Sequence, residues 1–364
     1  MEPYTVGLDV HSQESVFVMQ NATGVVTGEG KIPTTEPGFR EWQAAHALTP
    51  GTRVFLETGT VSFYVAHVLA QLGLVPIVVD AHEVRRRAQR PTQKSDRGDA
   101  FELCDGGRRG LYRAVVHIPA PATHALRQAL ARRRHFVQAA SREILAARHV
   151  LRAAGRAGHA GCLNSRPAWE RLLTRVAAQP AVRAPLERHY ALWQAADAQV
   201  TALDAELRAL PCALEPPVTR LQTIPGVGPI VARTIVAALA DVSRFPSAKH
   251  VGSYAGLVPT THQSGRVDHH GHITKRGSRE LRAMLCEAAQ HAARPTHPLN
   301  AFYAPLCVRH GRKRALIAIA HRLARLAFAM LRDGRDFDPT RLGLEAGPFT
   351  TTTTRRYRRR RRAA

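Results

Sequence analysis

Residues 4–32, YTVGLDVHSQESVFVMQNATGVVTGEGKI, decide how the first third of the chain folds. An apolar run at 4–10 is followed by alternating stretches at 14–20 and 24–32. Polar turn residues at 11–13 and 21–24 separate them, the pattern of a three-strand meander. Working outward, 37–48 reads as a helix, 53–57 as a short strand and 62–72 as a helix. Residues 75–80, VPIVVD, have the character of a buried strand, and 96–104 open another helix. Three strands followed by helix, strand, helix, strand, helix is the order expected of a ribonuclease-H-like α/β domain.

Acids stand where this scaffold has little reason to tolerate them. Asp9 interrupts the apolar strand GLDVHS, and Glu57 ends the strand VFLETG. A buried carboxylate is costly unless it is paired or binds a cation. Asp96 and Asp99, in KSDRGDA, are three apart and share one helix face. With the first and fourth strands adjacent and the closing helix packed across them, four oxygen ligands converge on hard cations, Mg²⁺ first and Mn²⁺ as a possible substitute. Such sites activate a nucleophile and stabilise a leaving oxygen in phosphodiester chemistry. Taken singly, Asp96 also fits a helix cap and Glu57 a surface residue. Asp80 is a competing acid at a strand end.

From about residue 123 the pattern changes. Leu130, Val137, Ile144 and Leu151 fall seven apart, as do Leu186, Trp193, Val200 and Leu207. These heptads indicate two long helices, in a hairpin or an intermolecular coiled coil, with an ordinary bundle core as the alternative. Residues 211–217 form a linker. Beyond it 221–239, 278–293 and 314–331 read as helices, with a Gly- and His-rich stretch, 252–277, that lacks clear periodicity. After Arg341 come five threonines and then seven arginines within 355–362, a disordered electrostatic tail by composition. The expected domains are therefore 1–115, a helical coiled-coil connector at 120–210, a mainly α-helical domain at 218–340 and the tail 341–364.

The C-terminal helical domain carries two motifs. LQTIPGVGPIVARTIV has the look of a helix-hairpin-helix, in which Gly226 and Gly228 allow a tight turn whose backbone N–H groups face a phosphate. An ordinary helix–helix turn is the plainer reading. Farther on, Ser264 lies in a Gln-Ser-Gly turn and is followed by Arg266, Lys275, Arg276, Arg279 and Arg282. A serine among arginines suits attack on phosphate, because Arg stabilises charge building on phosphoryl oxygens. Ser253 is a rival, and Ser278 caps the helix that follows it. His269, His270 and His272 lack Cys or a second spaced ligand group, which favours a solvated or phosphate-contacting loop over a metal cluster.

Composition agrees with a polyanionic partner. The chain has 364 residues, with 52 Lys and Arg against 28 Asp and Glu, a formal net charge of +24. At this length two or three domains are expected, and 45% hydrophobic residues supply a packed core. A net charge this large repels itself unless nucleic acid neutralises it. A GC-rich genome accounts for part of the excess of Arg over the five Lys, but not for the shortage of acids. Five scattered cysteines without a CxxC pair point to a reducing compartment. With no apolar run of about 18 residues and no basic-then-apolar leader, neither a membrane span nor secretion is expected.

Assembled in order, GLDVH, the ETG strand end, KSDRGDA, IPGVGP, AGLVP…QSG and ITKRGSRELR resemble the transposases of insertion-sequence family one hundred and ten, related to the Piv invertase. The resemblance extends from Tyr4 to about Arg335. It implies a RuvC-like DEDD domain (Asp9, Glu57, Asp96, Asp99), a coiled-coil connector and a transposase domain with a catalytic serine, Ser264. It further implies an RNA-guided recombinase that forms a phosphoserine link to DNA beside Mg²⁺. A structured bridge RNA would select donor and target DNA by base pairing. A dimer-built tetramer in the bacterial cytoplasm, on the nucleoid, is part of the same implication. Ser278 stands where the family commonly has Asn, and the Arg-rich tail is outside the shared core. The alternatives are a metal-dependent nuclease or junction resolvase in which Ser264 is structural, and a nucleic-acid-binding scaffold without activity.

Overall fold

A computed structural model describes residues 4–87, 95–159, 161–209, 214–264 and 267–344; the side chains of 87, 159 and 261–270 lie outside the description. The Arg-rich tail from residue 345 onward and Arg266 fall outside the described residues as well. The chain divides into two compact units, Met1–Pro121 and Ala122–Ala364.

The first unit is a mixed α/β layer. Its strands are β1 (Thr5–Val10), β2 (Glu14–Gln20), β3 (Val26–Pro33), β4 (Arg53–Glu57), β5 (Val75–Val79) and the short β6 (Val115–Val116). Its helices are α1 (Glu36–Ala45), α2 (Ser62–Gln71), α3 (Ala81–Arg87) and α4 (Asp96–Arg108). The sheet order is β3-β2-β1-β4-β5-β6. The first three strands pair antiparallel as the meander read from the sequence, while β1–β4 and β4–β5 are parallel. Alternation sorts the side chains onto two faces. Val6, Leu8, Phe17, Met19, Val54, Leu56 and Val78 join Phe39, Trp42, Val65 and Leu69 of α1 and α2 in one core. Val16, Val18, Phe55 and Val79 face the other way, where Ala100, Leu103 and Cys104 of α4 cover them.

Gly7 makes that second layer possible. A Cβ there would collide with the Ala100 carbonyl and the Cys104 backbone, so only glycine lets α4 lie directly against β1. Cys104 donates its thiol to the Thr5 carbonyl at 3.1 Å, and burial pushes that thiol up to about 12.

The second unit is mostly helical. Two long helices, α5 (Pro121–Ala153) and α7 (Pro180–Arg208), run antiparallel within the chain, with α6 (Arg166–Arg175) between them in sequence. Arg133 pairs with Asp204 at 2.6 Å toward one end and Glu143 with His189 at 2.9 Å toward the other. Leu151, Trp169, Leu172, Leu186 and Trp193 close the far end around a fully buried indole. The heptads thus serve an intramolecular hairpin, in which Val137 is 37% exposed while Leu130 and Leu151 are buried.

The remaining helices are α8 (Glu215–Gln222), α9 (Pro229–Leu239), α10 (Ala248–Tyr254), α11 (Arg279–Ala289), α12 (Asn300–His310) and α13 (Arg312–Asp333). They share one core, which includes Leu221, Ile235, Leu281, Leu285, Ile319 and Phe328. Arg127 and Arg244 donate to the last carbonyls of α9, those of Ala237, Ala238 and Leu239, so part of the basic excess caps a helix C-terminus.

One expectation changes here. The stretch without periodicity contains an antiparallel hairpin, β7 (Pro259–Ser264) with β8 (Val267–Ile273). Strands written PTTHQS and VDHHGHI carry almost no apolar alternation, so the usual period-two signal is missing.

Candidate functional site

Asp9 occupies the same face of β1 as Gly7, two residues on, which is the face under α4. Glu57 shares that face with Phe55, at the C-terminal end of the parallel neighbour β4. Since Cys104 touches Thr5 and Ala100 lies over Gly7, α4 runs antiparallel to β1 and brings its N-terminus to Asp9. On α4 the stripe Asp96–Ala100–Cys104 lies over β1 and β2, and the stripe Asp99–Leu103 leans toward β4 and β5.

The start of α4 is fixed twice. Ser95 is the N-cap and accepts from the Gly98 N–H at 3.1 Å. Arg97 forks onto Glu29 of β3, donating from Nε at 3.1 and 3.0 Å and from a terminal nitrogen at 2.7 Å. The Arg97 hydrogen bond holds the Glu29 carboxyl below its ordinary value. Asp96 is thus a first-turn residue and not the cap. Asp80 serves elsewhere, because its carboxylate accepts from the N–H groups of His82 and Glu83 at 3.0 and 3.3 Å and so caps α3.

Among the described residues, Asp9, His11 and Asp96 form a group whose ligand atoms all lie within 4.8 Å of one another. His11 Nε2 is 3.1 Å from Asp9 Oδ2 and 3.6 Å from Asp96 Oδ1. Glu57 and Asp99, both half-buried, do not join it. A polar cavity of about 350 Å³, lined by His11, Ser12, Gln13, Glu14, Lys31 and Asp96, opens beside the cluster. Two ligands on one Mg²⁺ sit about 3 Å apart when adjacent and about 4.2 Å when opposite, so the spread of the cluster suits a single divalent ion. Two carboxylates and one imidazole fit a divalent metal of the Mg²⁺–Mn²⁺ class. Sequence reading did not place His11 or Arg97 at the site. The only signal for them was adjacency, His11 two residues beyond Asp9 and Arg97 between the two aspartates.

The residues expected to meet nucleic acid lie in the second unit. Ser264 ends β7, paired through its backbone with Val267. Gly226, at φ +81°, turns the chain between α8 and α9, where a Cβ would stand 2.7 Å from His291 Cβ. Gly228 is the N-cap of α9 with open space around its α-carbon, which leaves that helix terminus accessible. His297 pins the same turn by donating from Nε2 to the Pro225 carbonyl at 2.9 Å, while its Nδ1 accepts from the Leu299 N–H. Lys275, Arg276 and Arg279 are exposed. Arg282 is half-buried and donates to the Ala255 carbonyl at 3.0 Å, so it also braces the loop after α10. Ser278 caps α11 by accepting from the Leu281 N–H at 3.1 Å. Ser253 is an exposed residue of α10.

Comparison with known proteins adds independent findings. The family model described as "Transposase IS116/IS110/IS902 family" matches residues 218–304, which include Ser264. A second model, the IS110 DEDD transposase, matches residues 6–155, which include all four acids. A "putative transposase" of Sinorhizobium fredii is 28% identical over 91% of this chain and 85% of its own length. The IS110 "uncharacterized 43.6 kDa protein" of Streptomyces coelicolor is 36% identical over 38% of this chain. The "pilin gene-inverting protein" of Moraxella bovis is 36% identical over 32%. The matches to these last two span 35% and 38% of their lengths, little more than a third. Both models are matched in order along the chain, at 6–155 and 218–304, so over these two stretches the chain is similar to transposases of the IS110/IS116 type.

Proposed function

We propose that this chain is an RNA-guided DNA recombinase of an insertion sequence, which cleaves and exchanges strands through Ser264, assisted by a divalent-metal site. The observation that carries the reading is the convergence of Asp9, His11 and Asp96 at the end of β1, enforced by the glycine contact under α4. The strand order supports a RuvC-like, ribonuclease-H-type domain at 1–115. The other expected domains, 120–210, 218–340 and 341–364, stand as part of the proposal.

Asp9 and Asp96 would hold the ion, with His11 as a nitrogen ligand or hydrogen-bond partner, and Glu57 and Asp99 would complete its surroundings. A bound divalent ion supplies charge neutralisation at the phosphate and polarises its oxygens. Ser264 Oγ attacks the phosphorus: an Oγ–P bond forms, one P–O bond of the strand breaks, and in net balance the serine proton ends on the departing hydroxyl. Attack by the hydroxyl of a second strand reverses the step and rejoins DNA. Gly226, Gly228, Arg266, Lys275, Arg276, Arg279 and Arg282 would hold backbone phosphates, most of them exposed and cationic or at a helix terminus. Donor and target DNA, a structured guide RNA and a tetramer built from dimers belong to the same reading. No helix among the described residues is long and apolar enough to cross a membrane.

The test incubates the protein with the element's RNA, donor DNA and Mg²⁺, then looks for DNA covalently attached after denaturation. Attachment should vanish in Ser264→Ala and in Asp9→Ala. Attachment that survives Ser264→Ala refutes the serine, and cleavage without any adduct favours a metal-dependent nuclease.

A further inference from the structure

The helical unit contains an opening that shares only Lys275 with the groups assigned above to strand cleavage. A cleft of about 1020 Å³ lies between the β7–β8 hairpin, α10 and the N-terminal half of α13. Its floor is apolar, formed by Leu257, Val258, Pro259, Ile273 and Ile317. Its rim is cationic and exposed, formed by Lys249, Lys275, Lys313, Arg314 and Arg325. Among the described residues, no carboxylate lines it.

Three features mark the rim as a place for an anion. The chain has only five lysines, and three of them meet here. Arg312, Lys313 and Arg314 stand in the first turn of the 22-residue helix α13, which has no acid there. Cations on the positive pole of a helix oppose the macrodipole, an arrangement that an anionic ligand relieves. Lys275 has φ +55°, a left-handed conformation that non-glycine residues seldom keep without a functional or packing reason. The polar group in the floor is His321, against which Gly252 of α10 packs. Burial, followed by the charges of Arg325 and Arg322, holds its imidazole below the ordinary value and therefore neutral near pH 7.

We propose that this cleft receives an unpaired stretch of a DNA strand, with an unstacked base on the apolar floor and the flanking phosphates against the lysine–arginine rim. A volume of about 1000 Å³ is the upper end of what a drug-sized ligand fills, the size class of a nucleotide. Duplex DNA satisfies only the rim, because its bases are stacked away from the floor. Single-strand sites elsewhere combine these two elements, a cationic track and a surface that takes the base face. The inference takes from the proposed function only that the substrate is DNA.

The test is made in EDTA with the full chain, so that it stands or falls apart from strand cleavage. The probe is a short oligothymidylate with one 4-thiothymidine at its centre. Photo-crosslinks should map to peptides covering 249–259, 273–275 or 313–325. In anisotropy titrations an abasic strand of equal length should bind more weakly by about threefold or more. The Lys249→Ala/Lys275→Ala/Lys313→Ala variant should lose about tenfold in affinity, with a salt dependence flatter by up to ~2, about 0.7 for each lost phosphate contact to a single strand. Lys249→Ala/Lys313→Ala, two exposed helix positions, carries the same test if the triple variant does not fold. Crosslinks confined to the Arg355–Arg362 tail overturn the proposal, as does abasic binding equal to oligothymidylate. Tighter binding of the equivalent duplex or of oligouridylate also overturns it.

Discussion

Gly7→Ala tests the link between fold and site. The added Cβ would lie within 2.9 Å of Cys104 Cα and nearer still to Cys104 N and the Ala100 carbonyl, where ordinary contacts are 3.4–4 Å. These are backbone atoms of a helix and cannot rotate away, so α4 must move off β1 by roughly 0.5–1.5 Å. Overpacking of this kind costs about 1–3 kcal/mol, and the loosened Val16, Val18 and Cys104 cluster adds to it. The same shift carries Asp96 away from Asp9, and a displacement of ~1 Å between reacting or ligating groups costs about 100-fold in rate. Two readouts separate the effects. Denaturant unfolding followed by far-UV circular dichroism should show the loss of stability, and Mn²⁺ titration by calorimetry or electron spin resonance below the unfolding midpoint should show weaker binding. A Gly7→Ala protein within about 0.5 kcal/mol of wild type and with unchanged Mn²⁺ affinity would refute the argument that this contact builds the site.

Further outcomes are expected. His11→Ala should weaken Mn²⁺ binding more than Mg²⁺ binding, since the imidazole is the softer ligand of the group; equal losses in parallel titrations would count against ligation by His11. Arg97→Ala should leave the α4 cap but free its first turn from β3, lowering Mn²⁺ affinity while leaving the unfolding midpoint almost unchanged, because the ion pair is exposed. Lys275→Gly should raise the thermal midpoint, by relief of about 1 kcal/mol of left-handed strain, while weakening binding to oligothymidylate. The second unit should lose stability on acidification. Burial, foremost, lowers His291, His297 and His321, so the unfolded chain takes up protons first, and stability present above pH 6.5 is lost as pH falls from there toward the folded values. The slope is up to ~1.4 kcal/mol per pH unit for each histidine, and His297→Gln should reduce it in melts between pH 5 and 7.

Much of the site was legible because its signals are local. Alternation in residues 4–32 sets the meander, and a carboxylate in an apolar strand stands out from its neighbours. The spacing of Asp96 and Asp99 puts both acids on one side of a helix start, although the cap itself is Ser95 and not Asp96. Each of these depends on residues within a turn or a strand of one another. The hairpin at 259–273 was not legible, because PTTHQS and VDHHGHI carry almost no apolar alternation that would leave a period. Arg282, grouped with the phosphate-contacting arginines from its charge, also braces a loop carbonyl, which charge alone does not reveal.

What the sequence determined by itself is the main strand and helix order of the first unit, the family motifs and the excess of positive charge. What only tertiary structure decided is which of those groups meet. Asp9 reaches Asp96 because α4 lies against Gly7, and His11 joins them because it leaves the same strand end. Three lysines scattered between residues 249 and 313 share one cleft because α10, the hairpin and α13 pack together. Chain order specifies local conformation through short-range sterics and hydrogen bonds. The convergence of distant side chains is set by close packing, which no single segment contains.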